Sequence, residues 1–487
     1  MAEFIDWFFH TIWPWVLAGV HAVLTLVASA HVVLRKRDSR AAMGWVGIIW
    51  LTPIIGTLLY VMFGVNRIQR KAQTLRTSRR LARSAAGHCP VSDDVLRRVL
   101  GDEAQHLFPL EAFVSRMTDL PLVDGNRLTS LTTGKETYDE MLKAIAAAKH
   151  SVALQVYIFD NDPLGQRFVE ALSAAQDRGV EVRVLIDDVG ARYTWPSIKW
   201  VLRRRGLRYA TFLPTLIPGK LHYSNLRNHR KILVVDGTLG FTGGMNIRQG
   251  HLCEPTDKHP VCDLHFRIEG PVVAHLRETF AADWLFAAGE RLSGEAWLPP
   301  IAPAGHSLCR GIADGPDLDF DKIRMVILGA IGCARHTLDI MTPYFLPEQP
   351  LITALNVAAM RGVAVNIYLP EEGNLKLVQW AATAQLWQVL ERGCRVFFTP
   401  PPFDHAKLMV VDGTWSFIGS ANWDPRSLRL NFEFNVECYD RDFASELTAL
   451  VHEKRASARP ITLADVDSRP LWKRLRDGIC RLALPYL

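Results

Sequence analysis

The chain has 487 residues, of which 49% are hydrophobic, and its formal net charge at pH 7 is +6. This length predicts two or three domains, and the positive charge favours an anionic partner, either lipid or nucleic acid. Eight cysteines without a paired framework argue against a disulfide scaffold and favour reduced thiols in the cytosol.

Two stretches near the N-terminus are long and apolar, because residues 7–34 and 41–66 contain no Asp, Glu, Lys or Arg. Each exceeds the roughly 20 residues that cross a bilayer as a helix. We therefore predict a membrane region over residues 1–66 with two hydrophobic helices. A buried core helix would explain one such stretch but not two in tandem. A signal peptide is disfavoured because the start is acidic, with Glu3 and Asp6.

The charges beside these stretches predict an orientation. Residues 67–83 are rich in Arg and Lys and contain no acid, so the positive-inside rule places them and the following catalytic part in the cytoplasm. The short connection at residues 35–40 is also basic and would lie on the wrong side of a spanning hairpin. A second segment that enters and returns, bent at Pro53, would remove the conflict. A spanning hairpin is modestly favoured.

The remainder of the chain repeats itself after a basic linker region, which we assign to residues 67–125. Each half contains a helix, a strand, a second helix that ends at Arg-Gly-Val, and a further strand. The predicted strands are 152–159, 182–186, 338–342 and 365–369. This alternation predicts an α/β sheet with helices on its faces. We place the first repeat at 126–298, a Pro-rich linker at 299–315 and the second repeat at 316–467.

One short pattern occurs once in each half. It consists of a histidine, a lysine two residues later and an aspartate five residues after the lysine, and a small-residue turn and an asparagine follow. The two copies are His229, Lys231, Asp236 and Asn246, and His405, Lys407, Asp412 and Asn422. Two copies with matching context predict that two half-sites form one catalytic centre.

This duplicated pattern suits the transfer of a phosphoryl group without a metal or another cofactor. A neutral histidine can attack phosphorus and form a covalent intermediate, while a second histidine on the opposite side protonates the leaving group. Lysines that neutralise the phosphate oxygens lower the barrier to attack. One histidine and one lysine are needed on each side.

The residues around the pattern suggest how it is held. Apolar runs at 232–235 and 408–411 are typical of buried strands. Asp236 and Asp412 begin turns after these strands, so we expect them to hold the catalytic centre together, although the pattern groups them with the catalytic residues. Asp263 and Glu433 lie at corresponding places downstream and are candidates for fixing the tautomer of each histidine.

These residues resemble the paired HKD motifs of the phospholipase D superfamily. The stretch 225–231 with residues 243–246, and the stretch 419–433, are similar to the two motifs of bacterial cardiolipin synthases. The apolar residues 50–56 resemble the membrane segment of that family. The resemblance implies two pseudo-symmetric phospholipase D-like repeats packed around one active site, with an N-terminal helical membrane segment.

The resemblance also implies an activity. It is that of a membrane-bound phosphatidyltransferase, which joins two phosphatidylglycerol molecules into cardiolipin, releases glycerol and passes through a phosphatidyl-histidine. We predict His229 as the nucleophile and His405 as the acid and base, although the sequence does not decide this order. The expected partners are phosphatidylglycerol, other anionic phospholipids and the membrane, without nucleic acid, and the oligomeric state is left open. The expected location is the bacterial inner membrane, as a multi-pass protein.

The alternative activity is hydrolysis. A phospholipase D-type hydrolase would use the same histidines, with water in place of the second alcohol, so a transferase must exclude water or hold the alcohol well. A nuclease is disfavoured by the membrane segments.

Three smaller features each have two interpretations. His251, Cys253, His259 and Cys262 form a candidate zinc site, but their spacing differs from that of zinc fingers and an ordinary loop is favoured. Residues 468–487 predict an amphipathic helix that lies at an anionic membrane surface or packs on the enzyme body. Phe159, Tyr344 and Phe345 follow strands and either line the lipid entry or, as we favour, belong to the core.

Overall fold

The structure is a computed structural model that describes residues 7–36, 39–64, 91, 93–214, 226–254, 257, 259–316 and 320–482. The chain forms two compact units. Among the described residues, the first unit contains the N-terminal helices and the second contains residues 93 onward. The basic cluster at residues 67–83 and Asn225 lie outside the described residues.

The N-terminal unit contains three α-helices, which are α1 Trp13–Arg35, α2 Ser39–Leu51 and α3 Pro53–Leu59. The stretch His10–Arg35 is the one helix in the described part of the chain that is long and apolar enough to cross a membrane. At about 1.5 Å per residue, the 13-residue α2 is too short to cross the hydrocarbon layer. The prediction of two spanning helices, and with it the multi-pass topology, is therefore not supported.

The second hydrophobic stretch is divided at Thr52, whose φ of −141° and ψ of 74° are not helical. Pro53 has no N–H to donate and fits only at the start of a helix, so it begins α3 instead of continuing α2. The bend lies where the re-entrant alternative placed it. Within this unit Val32, Ile49 and Tyr60 are buried, whereas most other apolar side chains are exposed. Such a surface is suited to lipid.

The second unit is built on a large mixed sheet. The strands before the Pro-rich linker are β1 Val123–Leu131, β2 Ser151–Val156, β3 Glu181–Asp187, β4 Tyr209–Phe212, β5 Ile232–Val235, β6 Leu239–Gly243, β7 Val261–Cys262 and β8 His265–Glu269. The remaining strands are β9 Ser307–Asp314, β10 Thr337–Met341, β11 Ala364–Pro370, β12 Arg395–Thr399, β13 Phe403–Asp404, β14 Leu408–Val411, β15 Trp415–Gly419, β16 Glu433–Tyr439 and β17 Arg459–Ile461. Strand β9 lies inside residues 299–315, so the prediction that this whole stretch is a linker was wrong for residues 307–314.

The order of the strands shows the duplication directly. The 15-stranded sheet runs β17-β12-β11-β10-β14-β15-β16-β9-β1-β8-β6-β5-β2-β3-β4. Apart from β17 at one edge, the strands of one half correspond to those of the other half, counted inward from the opposite edges. Strands β12-β11-β10-β14-β15-β16-β9 match β4-β3-β2-β5-β6-β8-β1, and the halves meet at the pair β9–β1. In each half three parallel strands lie outermost, and an antiparallel hairpin follows them toward the centre. The predicted α/β fold with two repeats is confirmed.

The helices of the second unit follow the predicted alternation. In chain order they are α4 Asp93–Leu100, α5 Phe108–Met117, α6 Gly134–Ala147, α7 Pro163–Asp177, α8 Ile198–Arg204, α9 Val273–Ala288, α10 Lys322–Cys333, α11 Gln349–Met360, α12 Lys376–Thr383, α13 Trp387–Leu390, α14 Pro425–Arg429, α15 Arg441–Ser457, α16 Leu463–Asp467 and α17 Leu471–Leu482. One apolar core contains Phe266 of the first half and Phe434 of the second, so the two halves fold as one body.

The later part of the predicted linker belongs to this folded body. Helices α4 and α5 and the 3-10 helix Asp102–Leu107 between them bury Leu100, Leu107 and Val114 in the core of the second half. Strand β1 begins at Val123 between β8 and β9. Treating residues 93–125 as a connector was therefore wrong. The buried residues are divided among short helices, so the sequence shows no sustained periodicity to reveal them.

The centre of the sheet contains a buried ion pair that we expect to govern stability. Arg310 of β9 and Glu437 of β16 face each other in register, with Nε and Oε1 2.5 Å apart, and both side chains are buried. Glu437→Gln leaves the guanidinium without its buried counter-charge, so we expect the free energy of unfolding to fall by about 3 kcal/mol. Thermal unfolding of the full chain in detergent measures this loss. Asp139→Asn, which removes the exposed pair with Lys135, is the control and should leave the midpoint unchanged.

Candidate active site

The two histidines of the duplicated pattern are each attached to the opposite half of the chain. His229 precedes β5, and its backbone N–H donates to the carbonyl of Phe432 at 2.8 Å. His405 precedes β14, and its N–H donates to the carbonyl of Cys262 at 2.7 Å. Parallel bridges between Asn228 and Phe432, and between β7 and β13, support these contacts. Each histidine therefore lies beside the segment that carries a candidate carboxylate.

The side-chain contacts cross between the halves in the same way. Nδ1 of His229 lies 3.0 Å from both carboxylate oxygens of Glu433. Nδ1 of His405 lies 2.6 Å from Oδ2 of Asp263. A carboxylate only accepts hydrogen bonds, so the proton lies on Nδ1 of each ring and Nε2 keeps a lone pair. The sequence predicted that both carboxylates were candidates to touch a histidine, and the structure adds that each pair joins the two halves.

Glu433 is held as an anion by several donors. Ser420 Oγ donates to it at 2.5 Å and Asn431 Nδ2 at 3.1 Å. Burial alone would raise the pKa of Glu433, but the charges of His229 and Lys231 outweigh that effect and lower it. Its negative charge therefore persists in a site closed to water.

The small-residue turns of the two copies differ, being Gly243-Gly244 in the first and Gly419-Ser420 in the second, and this difference has a steric cause. At Gly244, which corresponds to Ser420, a Cβ would lie 2.2 Å from Oδ1 of Asp263. The first half has no room for a side chain there, because the shorter Asp263 occupies the space. In the second half the serine instead donates to Glu433.

The two lysines are buried beside the histidines. Nζ of Lys231 donates to the carbonyl of His229 at 2.7 Å, and Nζ of Lys407 donates to that of His405 at 2.5 Å. Burial lowers the pKa of Lys231 to about 7 and that of Lys407 to about 8, while nearby carboxylates oppose the shift. A bound anion would restore the charge of both lysines.

The electrostatic interactions join the two half-sites. Burial lowers the pKa of His229, and Glu433 opposes this effect. The pKa of His405 is well below its usual value because of burial, and because Lys407, Lys231 and His229 add positive charge. Groups from both halves therefore act on one another. The site presents neutral imidazoles and lysines to an anion, which is the arrangement expected for attack on a phosphate ester.

The aspartates of the duplicated pattern do not join the histidines. Asp236 lies at the far end of β5 and accepts hydrogen bonds from the amides of Lys149, His150 and Ser151. Asp412 accepts equivalent bonds at the start of β10, from the amides of Arg335, His336 and Thr337, and contacts His106 Nε2 at 2.7 Å. Grouping them with the catalytic residues was therefore wrong, and the expectation that they hold the structure together agrees with these contacts.

The two asparagines of the pattern are both buried but differ in their contacts. Oδ1 of Asn246 accepts from the amide of Ile158 at 3.1 Å, so this side chain supports the strand end beside the site. Nδ2 of Asn422 donates to Ser427 Oγ at 3.2 Å, and its Oδ1 has no hydrogen-bond partner among the described residues.

A buried polar layer beneath His229 was missed from the sequence. Arg230 is fully buried, and its Nη1 donates to both oxygens of Asp283 at 2.7 and 2.6 Å. Its Nε donates to the carbonyl of Glu433, and Asn228 and Gln155 also donate to Asp283. The position of Arg230 between the histidine and the lysine was the available signal. A side chain between two that face the site points to the opposite face.

Aromatic side chains wall the site. The ring of Tyr157 lies 5.1 Å from that of His229, and the rings of Tyr344 and Phe403 lie 6.2 and 5.8 Å from that of His405. Phe159 and Phe345 are instead buried in the cores, which agrees with the favoured interpretation for these two. Tyr344 is the member of the predicted set that reaches a histidine.

The candidate zinc cluster is excluded by its own cysteines. Cys253 and Cys262 form a disulfide with a Cα–Cα distance of 5.2 Å, so neither offers a thiolate. The prediction that all thiols are reduced is wrong at this pair. A left-handed residue at Cys253, with φ of 59°, turns the chain after the 3-10 turn Gln249–Leu252 and brings the two side chains together. His251 packs on His405 instead, at 5.9 Å between rings.

Comparison with known proteins identifies relatives along the whole chain. Residues 141–284 and 327–454 match the family described as "Cardiolipin synthase, PLD-like domain". Residues 23–64 match the family described as "Phospholipase_D-nuclease N-terminal". Cardiolipin synthase A of Pseudomonas putida is 32% identical over 471 residues, which cover 97% of this chain and 98% of the relative. Cardiolipin synthase of Geobacillus thermodenitrificans is 31% identical over 489 residues, which cover 98% and 96%.

A solved structure shows the same fold. Phosphatidylserine synthase of Haemophilus influenzae is similar with a TM-score of 0.61 and 15% identity, over 78% of this chain and 100% of that one. At this identity the likeness concerns the fold alone.

The crossed carboxylates generate a first test of the site. Glu433→Gln and Asp263→Asn each remove the acceptor that fixes the tautomer of a histidine from the opposite half. We expect kcat to fall on the order of 10²- to 10⁴-fold in each variant, because the imidazole loses its general acid–base role. Steady-state kinetics of the full chain measure this loss. Glu446→Gln, at the half-exposed Ser130 contact away from the site, should keep the wild-type rate. Wild-type rates in both carboxylate variants would contradict the positioning role.

The lowered pKa values predict a narrow pH profile for kcat/KM. The lysines act when protonated, so activity should fall as pH rises above about 7, the pKa of Lys231. The nucleophile His229 acts when neutral, and because burial lowers its pKa, the acid limb should lie below the ordinary value near 6.5.

The Lys231→Arg variant tests this assignment. A guanidinium stays charged, so we expect the alkaline limb to move to about 8, the pKa of Lys407, at a lower maximal rate. An alkaline limb at the same pH in wild type and variant would show that Lys231 does not set it.

Proposed function

The chain belongs to the cardiolipin synthase family of phospholipase D-like proteins, and on this premise we propose that it makes cardiolipin from two phosphatidylglycerol molecules at a membrane. Its relatives are named cardiolipin synthases. The observation that carries the proposal is the pair of crossed contacts, His229 with Glu433 and His405 with Asp263. They prepare two imidazoles alike, as a reaction with two displacements at one phosphorus requires.

In the first displacement, Nε2 of His229 attacks the phosphorus of one phosphatidylglycerol. A P–N bond forms and the bond from phosphorus to the glycerol oxygen breaks. His405 takes up a proton on Nε2 when the anionic substrate binds, because the negative charge raises its pKa, and it gives this proton to the departing oxygen, so that glycerol leaves. Lys231 and Lys407 neutralise the non-bridging oxygens. The phosphatidyl group remains on His229.

In the second displacement, the free glycerol hydroxyl of another phosphatidylglycerol replaces the leaving group. His405, now neutral, takes the hydroxyl proton as the oxygen attacks phosphorus. The P–N bond breaks, cardiolipin is released, and the proton on His405 restores the starting state. The aromatic side chains of Tyr157 and Tyr344 limit the access of water beside the histidines, which favours the alcohol as acceptor.

The N-terminal unit is the proposed membrane anchor. The apolar stretch His10–Arg35 is long enough to span, and residues 23–64 match the N-terminal family. The cytoplasmic orientation remains a prediction from the positive-inside rule, because the basic cluster lies outside the described residues. The Cys253–Cys262 disulfide is a bond typical of oxidising compartments and favours the opposite side.

A lipid assay tests the proposed reaction. Purified full-length protein is incubated with phosphatidylglycerol and EDTA, and the lipids are separated. We expect cardiolipin and glycerol in equal amounts, at a rate that the chelator does not change. Phosphatidate without cardiolipin would indicate the hydrolase instead. Loss of activity with the chelator would defeat the metal-free mechanism.

The histidine variants test the covalent step. We expect His229→Ala and His405→Ala each to abolish turnover, and Asp236→Asn to keep the catalytic groups in place. Mass spectrometry of enzyme quenched with denaturant at neutral pH, where the P–N bond survives, should find a phosphatidyl adduct on the peptide that contains His229. An adduct on the peptide that contains His405 would reverse the two roles. A near-normal rate in either alanine variant would remove that histidine from the mechanism.

A further inference from the structure

The C-terminal helix α17 turns its apolar side chains outward. Its residues Leu471, Leu475 and Ile479 recur at helical spacing and are 70%, 58% and 66% exposed. Its one buried residue is Asp477, which is 1% exposed and bonded to Arg469 and Arg476 at 2.5 and 2.7 Å. This pattern is the reverse of that of a helix packed on a water-soluble body. Helix α17 therefore does not bury its apolar stripe against the enzyme body, although one side of the helix packs on it.

Helix α17 lies against α12 of the second repeat. The Arg476 guanidinium stacks on the ring of Trp380 in α12, with 4.0 Å from Cζ to the ring centre. Leu375 and Leu377, at the start of α12, are also more than half exposed. The two helices thus form one apolar surface, which we name the α12–α17 face. Its members are Leu375, Leu377, Leu471, Trp472, Leu475, Ile479 and Leu482.

The charges around this face indicate what covers it. Helix α17 contains four basic residues and one acid. The acid, Asp477, is already bonded to two arginines, whereas Lys473 and Arg474 are exposed. An exposed apolar stripe with basic residues beside it fits an anionic bilayer surface, in which the stripe enters the acyl boundary and the cations meet headgroup phosphates.

The face continues into a cavity beside the active site. Leu375, Val378 and Ala382 of α12 line this cavity together with Tyr344, Phe345 and Phe398. Tyr344 also contacts the ring of His405, and its hydroxyl bonds to Asn374 at 2.8 Å, directly before Leu375. Tyr344 therefore lies between the α12–α17 face and His405.

We propose that the α12–α17 face docks on the anionic bilayer and thereby brings the side of the active site that Tyr344 lines to the phospholipid being handled. The proposal rests on the proposed function, because it gives the route by which a bilayer lipid reaches the histidines. It is independent of the N-terminal anchor. The anchor keeps the protein at the membrane, and the face orients the active site toward the lipid.

A double variant, Leu475→Glu/Ile479→Glu, tests the docking. Both residues are exposed, so the change removes apolar surface without opening the core. Met360→Glu is the matched control, because Met360 is equally exposed but lies on α11, which leads into the opposite end of β11 from α12. The full-length proteins are placed in nanodiscs of phosphatidylcholine with or without phosphatidylglycerol, and amide hydrogen exchange is followed.

In the wild type and the Met360→Glu control, exchange in residues 471–482 should slow at least about tenfold when phosphatidylglycerol is present, because two or more apolar side chains leave water. The double variant should lose this protection. This readout needs no catalysis. Protection of residues 471–482 without formation of cardiolipin would therefore contradict the proposed function but support the docking. Equal exchange in both lipids would overturn the docking.

The kinetics supply the second arm. On phosphatidylglycerol in the discs, the double variant should lose about tenfold or more in kcat/KM. On a short-chain phosphatidylglycerol dissolved as monomers, it should match the wild type. Equal loss on both substrates would show that α17 acts through the fold, and it would overturn the proposal. A second copy of the chain covering the face would also overturn the proposal. It would be indicated by protection of residues 471–482 in lipid-free detergent together with a change of oligomeric mass in the double variant.

Discussion

Each histidine of the duplicated pattern takes its orienting contacts from the other half of the chain. The backbone of His229 is held by Phe432 and its ring by Glu433, and the equivalent contacts of His405 come from Cys262 and Asp263. One repeat by itself therefore contains a histidine without its carboxylate. The sheet is continuous through the pair β9–β1, and this pairing fixes the position of each half so that the crossed contacts can form. A duplicated gene product with this arrangement cannot lose one half and keep a simpler site.

The second constraint is the burial of so many ionisable groups. Both lysines are nearly inaccessible to water, and burial lowers their pKa values toward neutrality. Such charges are costly to bury unless an opposite charge is present. Glu433 and Asp263 supply part of it, and an anionic phosphodiester would supply the remainder. The free site thus holds unfavourable positive charge that a bound substrate would relieve, which is how a preorganised site favours charge that develops in the transition state.

The two halves are alike in topology but not in detail, and the differences are local. Gly244 gives its space to Asp263, whereas Ser420 donates to the longer Glu433. The proposed membrane-docking face is also unequal between the halves, because α12 and α17 both follow β9 in the chain. A near-symmetric frame can therefore assign different parts to two chemically equal histidines, since each half varies the side chains around a common backbone.

The sequence by itself determined the repeat and the α/β alternation, and it marked the histidines, lysines and two carboxylates as candidates for one site. The strands predicted at 182–186, 338–342 and 365–369 are present as β3, β10 and β11 within one residue. Residue type, spacing and local periodicity carry this information, since each is set within a few residues of the chain.

Only the tertiary structure decided which residues meet. It showed that Asp236 and Asp412 bind backbone amides away from the histidines, that Arg230 is paired with Asp283, and that residues 93–125 fold into the core. It also joined Cys253 to Cys262. These outcomes depend on contacts between distant segments, and on the burial that follows from those contacts. A local pattern contains neither, because the same side chain is a catalyst or a structural support according to what the fold places opposite it.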